Sequence, residues 1–504
     1  MNPLVIAPAL LPLLAAILLL LLRHPNLRLR RWVSLVAVLG QVGLALALMA
    51  AVSAGDILVY ALGHWPAPFG IVLVADRLTA WMLVITSLLA LFALLYAIRG
   101  DDATGRHFHI LFQLQLFGLN GAFLTGDLFN LFVFFEILLL ASYGLLLHGG
   151  GRERTRAGLH FVVINLLGST LFLFAVGTLY GVLGALNMAD LAVKVAATPA
   201  ENVALVRAAG LLLFGVFALK AALLPFYLWL PAAYTHTSAA VAALFAIMTK
   251  VGAYSILRVY TLIFGANAGP AADLIEPWLL PLALATLIIG MLGAVASTGL
   301  RQQTAYLVVA SVGSLLAAFG LTSSAGIAAG LYYLPHTTFA AAALCLRAEV
   351  IARQRASVGA RLALGPALAD SRRLGGLFLI TAVAVAGLPP LSGFLGKFLT
   401  LRAALAHPQW PWVMGAVLTA GLLSLIALAR TGSLLFYRAD PNLEVPGTPS
   451  NGIGELVPII GLLLLGLGLT VGAGPLFDQA RAIAEQMWQP QLYIQAVLNP
   501  GGSP

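Results

Sequence analysis

Four lysines occur in the chain, and three of them lie inside long apolar runs. Lys220 sits in LLLFGVFALKAALLPFYLWL, Lys250 in AAVAALFAIMTKVGAYSIL and Lys397 in AVAGLPPLSGFLGKFLTL. A carboxylate, Glu136, sits in the same way in LFNLFVFFEILLLASYGLLL. A charge at bilayer depth costs about 2.5–3.5 kcal/mol on insertion scales, so such residues face polar cavities and mark ion or proton paths. The chemistry these types permit is proton transfer. A desolvated ammonium near a carboxylate can be switched, because moving or neutralising the carboxylate charge releases the proton. Arginine could not serve, since it keeps its proton in proteins. Lys220 is the natural partner of Glu136, Lys250 a lateral relay and Lys397 an exit-side carrier. The competing readings are a static ion pair for Glu136 and Lys220, snorkelling for Lys250, and an anchor for freed carbonyls at Lys397. His336, in YYLPHTTFAAAAL, can accept at one ring nitrogen and donate at the other, as a proton wire needs, or can be a satisfied core histidine. His236 is a second, weaker relay candidate. Thr249, Tyr254, Tyr306, Ser311 and Ser314 could hold waters.

The elements that must carry these residues are membrane helices. Of 504 residues, 61% are hydrophobic and 9% charged, against about 25% charged in soluble domains. A soluble class is therefore excluded. The net charge of +9 comes from arginines in short loops rather than from a nucleic-acid-binding face. The single cysteine, Cys345, excludes an internal disulfide or a multi-cysteine metal site and reads as packing. No GxGxxG, P-loop, CxxC or HExxH is present, so no cofactor is expected. No cleavable signal is expected either, since residues 4–22 lack a basic leader and read as a first span.

Apolar runs of about 20 residues, the length that crosses a bilayer, fall near 3–22, 32–53, 71–98, 107–125, 127–147, 159–184, 206–229, 238–264, 277–298, 303–322, 325–348, 375–402, 410–436 and 453–472. The expected fold is an all-α integral membrane protein of about fourteen transmembrane helices. Arg23, Arg28, Arg30, Arg31, Arg99, Arg106, Arg152, Arg154, Arg156, Arg301, Arg347, Arg353, Arg355, Arg361, Arg372, Arg373 and Arg438 all fall in or beside the odd-numbered loops. Those loops are then cytoplasmic and both termini external. Asp76 and Asp127 open spans 3 and 5, where the helix dipole favours acids. Residues 55–70 read as an external loop and 475–497 as one interfacial helix.

The seventh and twelfth spans are broken, at Pro225 and at Pro389–Pro390, each beside a lysine. Irregular backbone at depth is tolerated only where it is buried in protein or lines a wet cavity. Two broken spans five apart suggest inverted five-helix repeats. The organisation expected is 1–106 (helices 1–3), 107–264 (first repeat), 265–438 (second repeat) and 439–504 (helix 14 and an interfacial segment).

Three stretches carry a family resemblance: TGDLFNLFVFFEILLLASYGLL (125–146), LKAALLPFYLWLPAAYTHTSAAVAALFAIMTKVGAY (219–254) and GLPPLSGFLGKF (387–398). They resemble the proton-translocating subunits shared by Mrp-type antiporters and respiratory complex I. Within that family GDLFNLFVFFE is most similar to the D-type branch of the Mrp (Mnh, Pha) multisubunit Na⁺ or K⁺/H⁺ antiporters. The resemblance implies that Glu136, Lys220, Lys250 and Lys397 occupy the family's glutamate–lysine, relay and terminal positions, with His336 between the halves. It implies a hetero-oligomer with other Mrp subunits in a bacterial plasma membrane, and no cofactor or metal. The alternative is a membrane-arm proton-pumping subunit of a complex I-like quinone oxidoreductase or membrane-bound hydrogenase; a third is an assembly scaffold whose buried charges are silent. Two departures stand out. Where many relatives carry a lysine after the histidine of span 11, this chain has Phe339–Ala340–Ala341–Ala342, so the central relay rests on His336 and water. Tyr234 and Ser238 replace a histidine and a proline common in complex I relatives, which favours the Mrp branch.

Overall fold

The computed structural model describes residues 2–22, 26–355, 358–438 and 453–499. Arg23, assigned above to the first loop, lies outside them, as do residues 439–452. The helices are α1 (Ala7–Leu21), α2 (Leu27–Ala51), α3 (Arg77–Ala97), α4 (Phe108–Leu124), α5 (Leu128–Leu147), α6 (Arg152–Leu183), α7 (Met188–Ala196), α8 (Val203–Ala221), α9 (Trp229–His236), α10 (Ala239–Phe245) and α11 (Met248–Leu262). They continue as α12 (Glu276–Ala296), α13 (Leu300–Phe319), α14 (Ser324–Gln354), α15 (Ser371–Ala386), α16 (Ser392–Ala404), α17 (Trp410–Gly432), α18 (Ile453–Val471), α19 (Ala473–Met487) and α20 (Pro490–Leu498). Among the described residues ten helical segments are long and apolar enough to cross a membrane, with α1 and α4 as shorter apolar helices. The chain is a multi-pass membrane protein. Its outer surface shows this directly: Leu159, Val163, Leu166, Leu167 and Phe174 are exposed along one side of α6, a stripe that suits lipid or a partner helix and not water.

Helix starts follow local chemistry. Asp76 Oδ1 accepts from Thr79 N at 2.9 Å and Asp127 Oδ1 from Asn130 N at 2.8 Å. Each aspartate thus caps its helix by taking an otherwise unpaired N–H. Asn26, Asn187 and Ser323 do the same for α2, α7 and α14.

Three expectations need correction. Residues 71–76 are not the start of a span. Val72–Ala75 (β2) pairs antiparallel with Leu58–Ala61 (β1), Leu58 opposite Ala75, so the expected loop is in part a hairpin and the fold is not wholly α. The β-branched run Ile71-Val-Leu-Val favours the strand, and the Asp76 cap delays the helix. Residues 475–497 are two helices, not one: α19 ends before Trp488 and Pro490 opens α20, where proline is pre-shaped for a first turn. These helices are built into the body, not merely laid on a surface. The Gln486 amide donates to Gly55 O at 2.8 Å, and its carbonyl accepts from Arg77 N at 3.2 Å. The short helix α7, amphipathic and pinned by a Lys194–Asp190 pair at 2.8 Å, has no counterpart among the expected spans.

Candidate functional site

Lys220, Lys250 and Lys397 each stand at or beside a break in a helix. Lys220 is in the last turn of α8, which stops where Ala222 takes the left-handed conformation at φ 59°. Lys397 lies on α16, one loop beyond the end of α15, where Gly387 has φ 77°. Lys250 is in the first turn of α11, just past a break at Ala246–Ile247 that no proline announces. There the bonds tighten to three-residue spacing, Ala246 N to Ala243 O and Ile247 N to Leu244 O. The Tyr234 hydroxyl takes up the Phe245 carbonyl at this break. Such tightening within a helix is a frequent mark of a functional hinge.

The four charged positions have different surroundings. The Lys220 ammonium donates to Asn165 Oδ1 at 3.1 Å and lies 5.9 Å from the centre of the Phe135 ring. Glu136 accepts from the Ser169 hydroxyl. No direct ion pair joins Glu136 to Lys220 among the described residues, contrary to the simplest form of the expected pairing. Instead α6 packs against both α5 and α8, and Asn165 and Ser169, one turn apart, share one of its faces. The two charges are therefore held on a single helix face, Glu136 by Ser169 and Lys220 by Asn165.

Lys250 is fully buried, and its Nζ has no hydrogen-bond partner among the described residues. The Oγ1 atoms of Thr249 and Thr237 are unpaired as well. A small cavity of about 10 Å³ opens nearby between Tyr234, Thr237, Arg301, Thr304 and Cys345. Lys220 and Lys250 are neighbours through their backbones: a side chain at Gly252 would collide with the backbone of Lys220 and Ala221. Glycine alone permits α11 to approach the end of α8 this closely.

His336 and Lys397 converge on the broken end of α15. Lys397 Nζ donates to Ala386 O at 2.8 Å and to Val385 O at 3.3 Å. His336 interacts with the Ala384 carbonyl, and its Nδ1 is 2.9 Å from Ser392 Oγ, which donates in turn to Gly466 O at 3.2 Å. The two carbonyls left free at the break, Val385 O and Ala386 O, are therefore taken by Lys397, while Ala384 O accepts from Gly387 N at 3.3 Å as well as facing His336. Lys250 and His336 are not brought together directly. Between them α14 runs past a cavity of about 20 Å³, lined by Ser311, His336, Thr337, Ala340, Ala341 and Leu344. That volume suffices for one water, and four residues with polar side chains, Ser311, Tyr333, His336 and Thr337, line it. It lies beside Ala340–Ala341. His236, at the end of α9, is tied through its carbonyl to Arg154 Nε at 3.0 Å. Tyr306 packs under Gly293.

Several residues at the site carry little signal in the sequence. Asn165 and Ser169 have ordinary types in an apolar helix and say nothing alone. Arg258 lies in the same apolar run as Lys250, and sequence reasoning missed it; its guanidinium makes a two-pronged pair with Asp76, at 2.6 and 2.8 Å. At the arginine-rich end, Asp101 joins Arg353 (3.4 Å) and Ala240 N (3.2 Å), tying the α3–α4 loop to α10 and α14. Burial pushes the Asp101 carboxyl above the usual carboxylate range. Among the described residues no cluster of histidine, cysteine or carboxylates could hold a metal.

Residues 125–424 match the family model described as "NADH:quinone oxidoreductase/Mrp antiporter, TM". The chain is 39% identical to a probable K⁺/H⁺ antiporter D subunit of Rhizobium meliloti, covering 99% of this chain and 98% of that protein. It is 37% identical to the Na⁺/H⁺ antiporter D subunit of Alkalihalophilus pseudofirmus, covering 99% and 100%. A chain in the structure of the Mrp complex from Dietzia sp. DQ12-45-1b superposes with a TM-score of 0.87 at 31% identity, over 98% of this chain and 99% of that one.

Proposed function

Because the chain belongs to the NADH:quinone oxidoreductase/Mrp antiporter family, we propose that it is the proton-translocating D-type subunit of a multisubunit Na⁺ or K⁺/H⁺ antiporter, working through Glu136, Lys220, Lys250, His336 and Lys397. It is a transporter subunit, not an enzyme. The observation that carries the mechanism is the shared face of α6, where Ser169 holds Glu136 and Asn165 holds Lys220. In this reading a change in the charge at Glu136 is felt at Lys220, whose ammonium then releases its proton toward Lys250. The Lys220–Ala221 backbone against Gly252 keeps that step short. From Lys250 the proton passes along α14, by way of the cavity at Ala340–Ala341 and His336, to Lys397. Full-length likeness to antiporter D subunits favours this over a complex I-like role.

The fourteen-helix count fits if α8–α9, α10–α11 and α15–α16 each form one broken span. The inverted repeats would then be residues 107–264 and 265–438, with α8–α9 and α15–α16 in equivalent places. Residues 1–106 and 439–504 would flank them. In a bacterial plasma membrane the arginine-rich loops would face the cytoplasm and both termini the outside. Other Mrp subunits would be the partners, and no cofactor is invoked. The test is cation-dependent dissipation of a pH gradient in everted vesicles holding the whole complex. Glu136→Ala or Lys220→Ala should abolish it while the complex still assembles, and full activity in either would sink the proposal.

A further inference from the structure

At the end of the bundle opposite the arginine-rich loops lies a cavity of about 390 Å³, between the end of α11, the start of α12 and the α19–α20 turn. Its polar lining includes Tyr260, Thr261, Asn267, Asp273, Glu276 and Thr322. A second cavity of about 20 Å³ shares Thr261, Met487 and Pro490 with the first and reaches Asp76, Arg258 and Tyr493. The two share a wall, and the Asp76–Arg258 pair lines the smaller one.

That pair is itself buried. Besides the two bonds to Asp76, Arg258 donates to the Tyr254 hydroxyl at 3.3 Å and to Thr79 Oγ1 at 3.3 Å. It lies 5.4 Å from the centre of the Tyr493 ring. A well-packed apolar pair would stabilise such a place at least as well as a buried ion pair, so stability alone does not explain these residues. Their position does suggest a reason. Lys250, Tyr254 and Arg258 are four residues apart and form one stripe on α11, about 12 Å long. The Tyr254 hydroxyl donates to Phe123 O at 2.7 Å. The stripe runs along α11 from Lys250 to Arg258, which lines the smaller cavity.

We propose that these cavities form a second proton port, opening at the arginine-poor face and ending on Asp76 and Arg258, through which Lys250 exchanges protons with bulk water. The inference rests on the relay reading above. Asp273 and Glu276 make the mouth negative and concentrate cations there. The fixed positive charge of Arg258 repels a metal cation below the mouth, whereas a proton can pass by transfer between groups. In the releasing direction, the Tyr254 hydroxyl turns from Phe123 O, gives its proton to the Asp76 carboxylate and takes one, through water, from the Lys250 ammonium. Asp76 then gives a proton to cavity water, leaving Lys250 neutral and Asp76 ionised against Arg258 again.

Thr261, which lines both cavities, supplies the test. In the whole complex, with Cys345→Ala removing the chain's single cysteine, Thr261→Cys is treated with a membrane-impermeant cationic methanethiosulfonate in vesicles of each orientation. The port predicts modification from the arginine-poor face and a loss of transport on modification. It also predicts that the rate advantage over an anionic reagent falls at least threefold in Asp273→Asn/Glu276→Gln. No modification from that face, or equal rates for the two reagents with or without the carboxylates, overturns it. The double variant Asp76→Asn/Arg258→Gln keeps a neutral hydrogen-bonded pair and should lower transport at least tenfold; transport at the unmodified rate would make the pair structural and end the proposal. The labelling readout does not depend on Glu136 or Lys220, so failure of the port and failure of the relay can be told apart.

Discussion

The breaks at Lys220 and Lys397 solve the same problem in opposite ways. Both interrupt a helix beside proline at bilayer depth and free backbone carbonyls. At the first, other groups satisfy the backbone: the Trp229 indole donates to Leu219 O at 3.0 Å, Leu223 N to Ala218 O at 2.9 Å, and Thr286 Oγ1 accepts from Leu224 N at 2.9 Å. Lys220 is left to Asn165. At the second, Lys397 itself holds Val385 O and Ala386 O. One lysine is free of structural duty and the other is not. Two lysines can thus share a type and a neighbouring proline and differ in what else caps the break.

The largest effect that would sharpen the contrast is on stability. Lys397→Met should strand two buried carbonyls, at about 1–3 kcal/mol each, and lower the thermal midpoint of the purified complex as well as its transport. Lys220→Met should abolish transport with an unchanged or raised midpoint, because removing a buried ammonium relieves a desolvation cost. Equal loss of stability in both would break the comparison. Next comes close packing at each break. Gly252→Ala and Gly393→Ala each force a methyl against backbone, at Ala221 and at Ala384 respectively. Each should cost about 1–3 kcal/mol, read by denaturation of the detergent-solubilised complex. Smaller again is the α6 bridge: Asn165→Ala should slow proton flux roughly tenfold, in line with loss of one hydrogen bond to a charged group, and Ser169→Ala should do less. Both leave His336 and Lys397 untouched, so a matching change in a reporter at Ser392 would contradict the separation of the two regions.

The multi-pass membrane character, the two proline breaks and the charges at Glu136, Lys220, Lys250 and Lys397 can be read from the sequence because each is local. Apolar length marks a span, proline marks a break, and a charge in an apolar run is conspicuous. An anchoring role for Lys397 is also legible there as the competing reading, and the carbonyl contacts favour it as at least part of that residue's role. What escapes depends on packing between distant segments. The break at Ala246–Ile247 lies in an alanine-rich stretch of good helix formers. Asn165 and Ser169 matter only because α5 and α8 meet the same face of α6. Arg258 is hidden because its partner, Asp76, is far away in sequence and reads as a helix start, a role it also fills.

The central claim is that Lys220 carries the proton and does not merely join helices. The direct measurement is proton flux, dependent on Na⁺ or K⁺, through the intact complex in proteoliposomes, comparing Lys220→Met with the unmodified chain at equal assembly. The account predicts no flux above protein-free liposomes. Flux at the unmodified rate would contradict it.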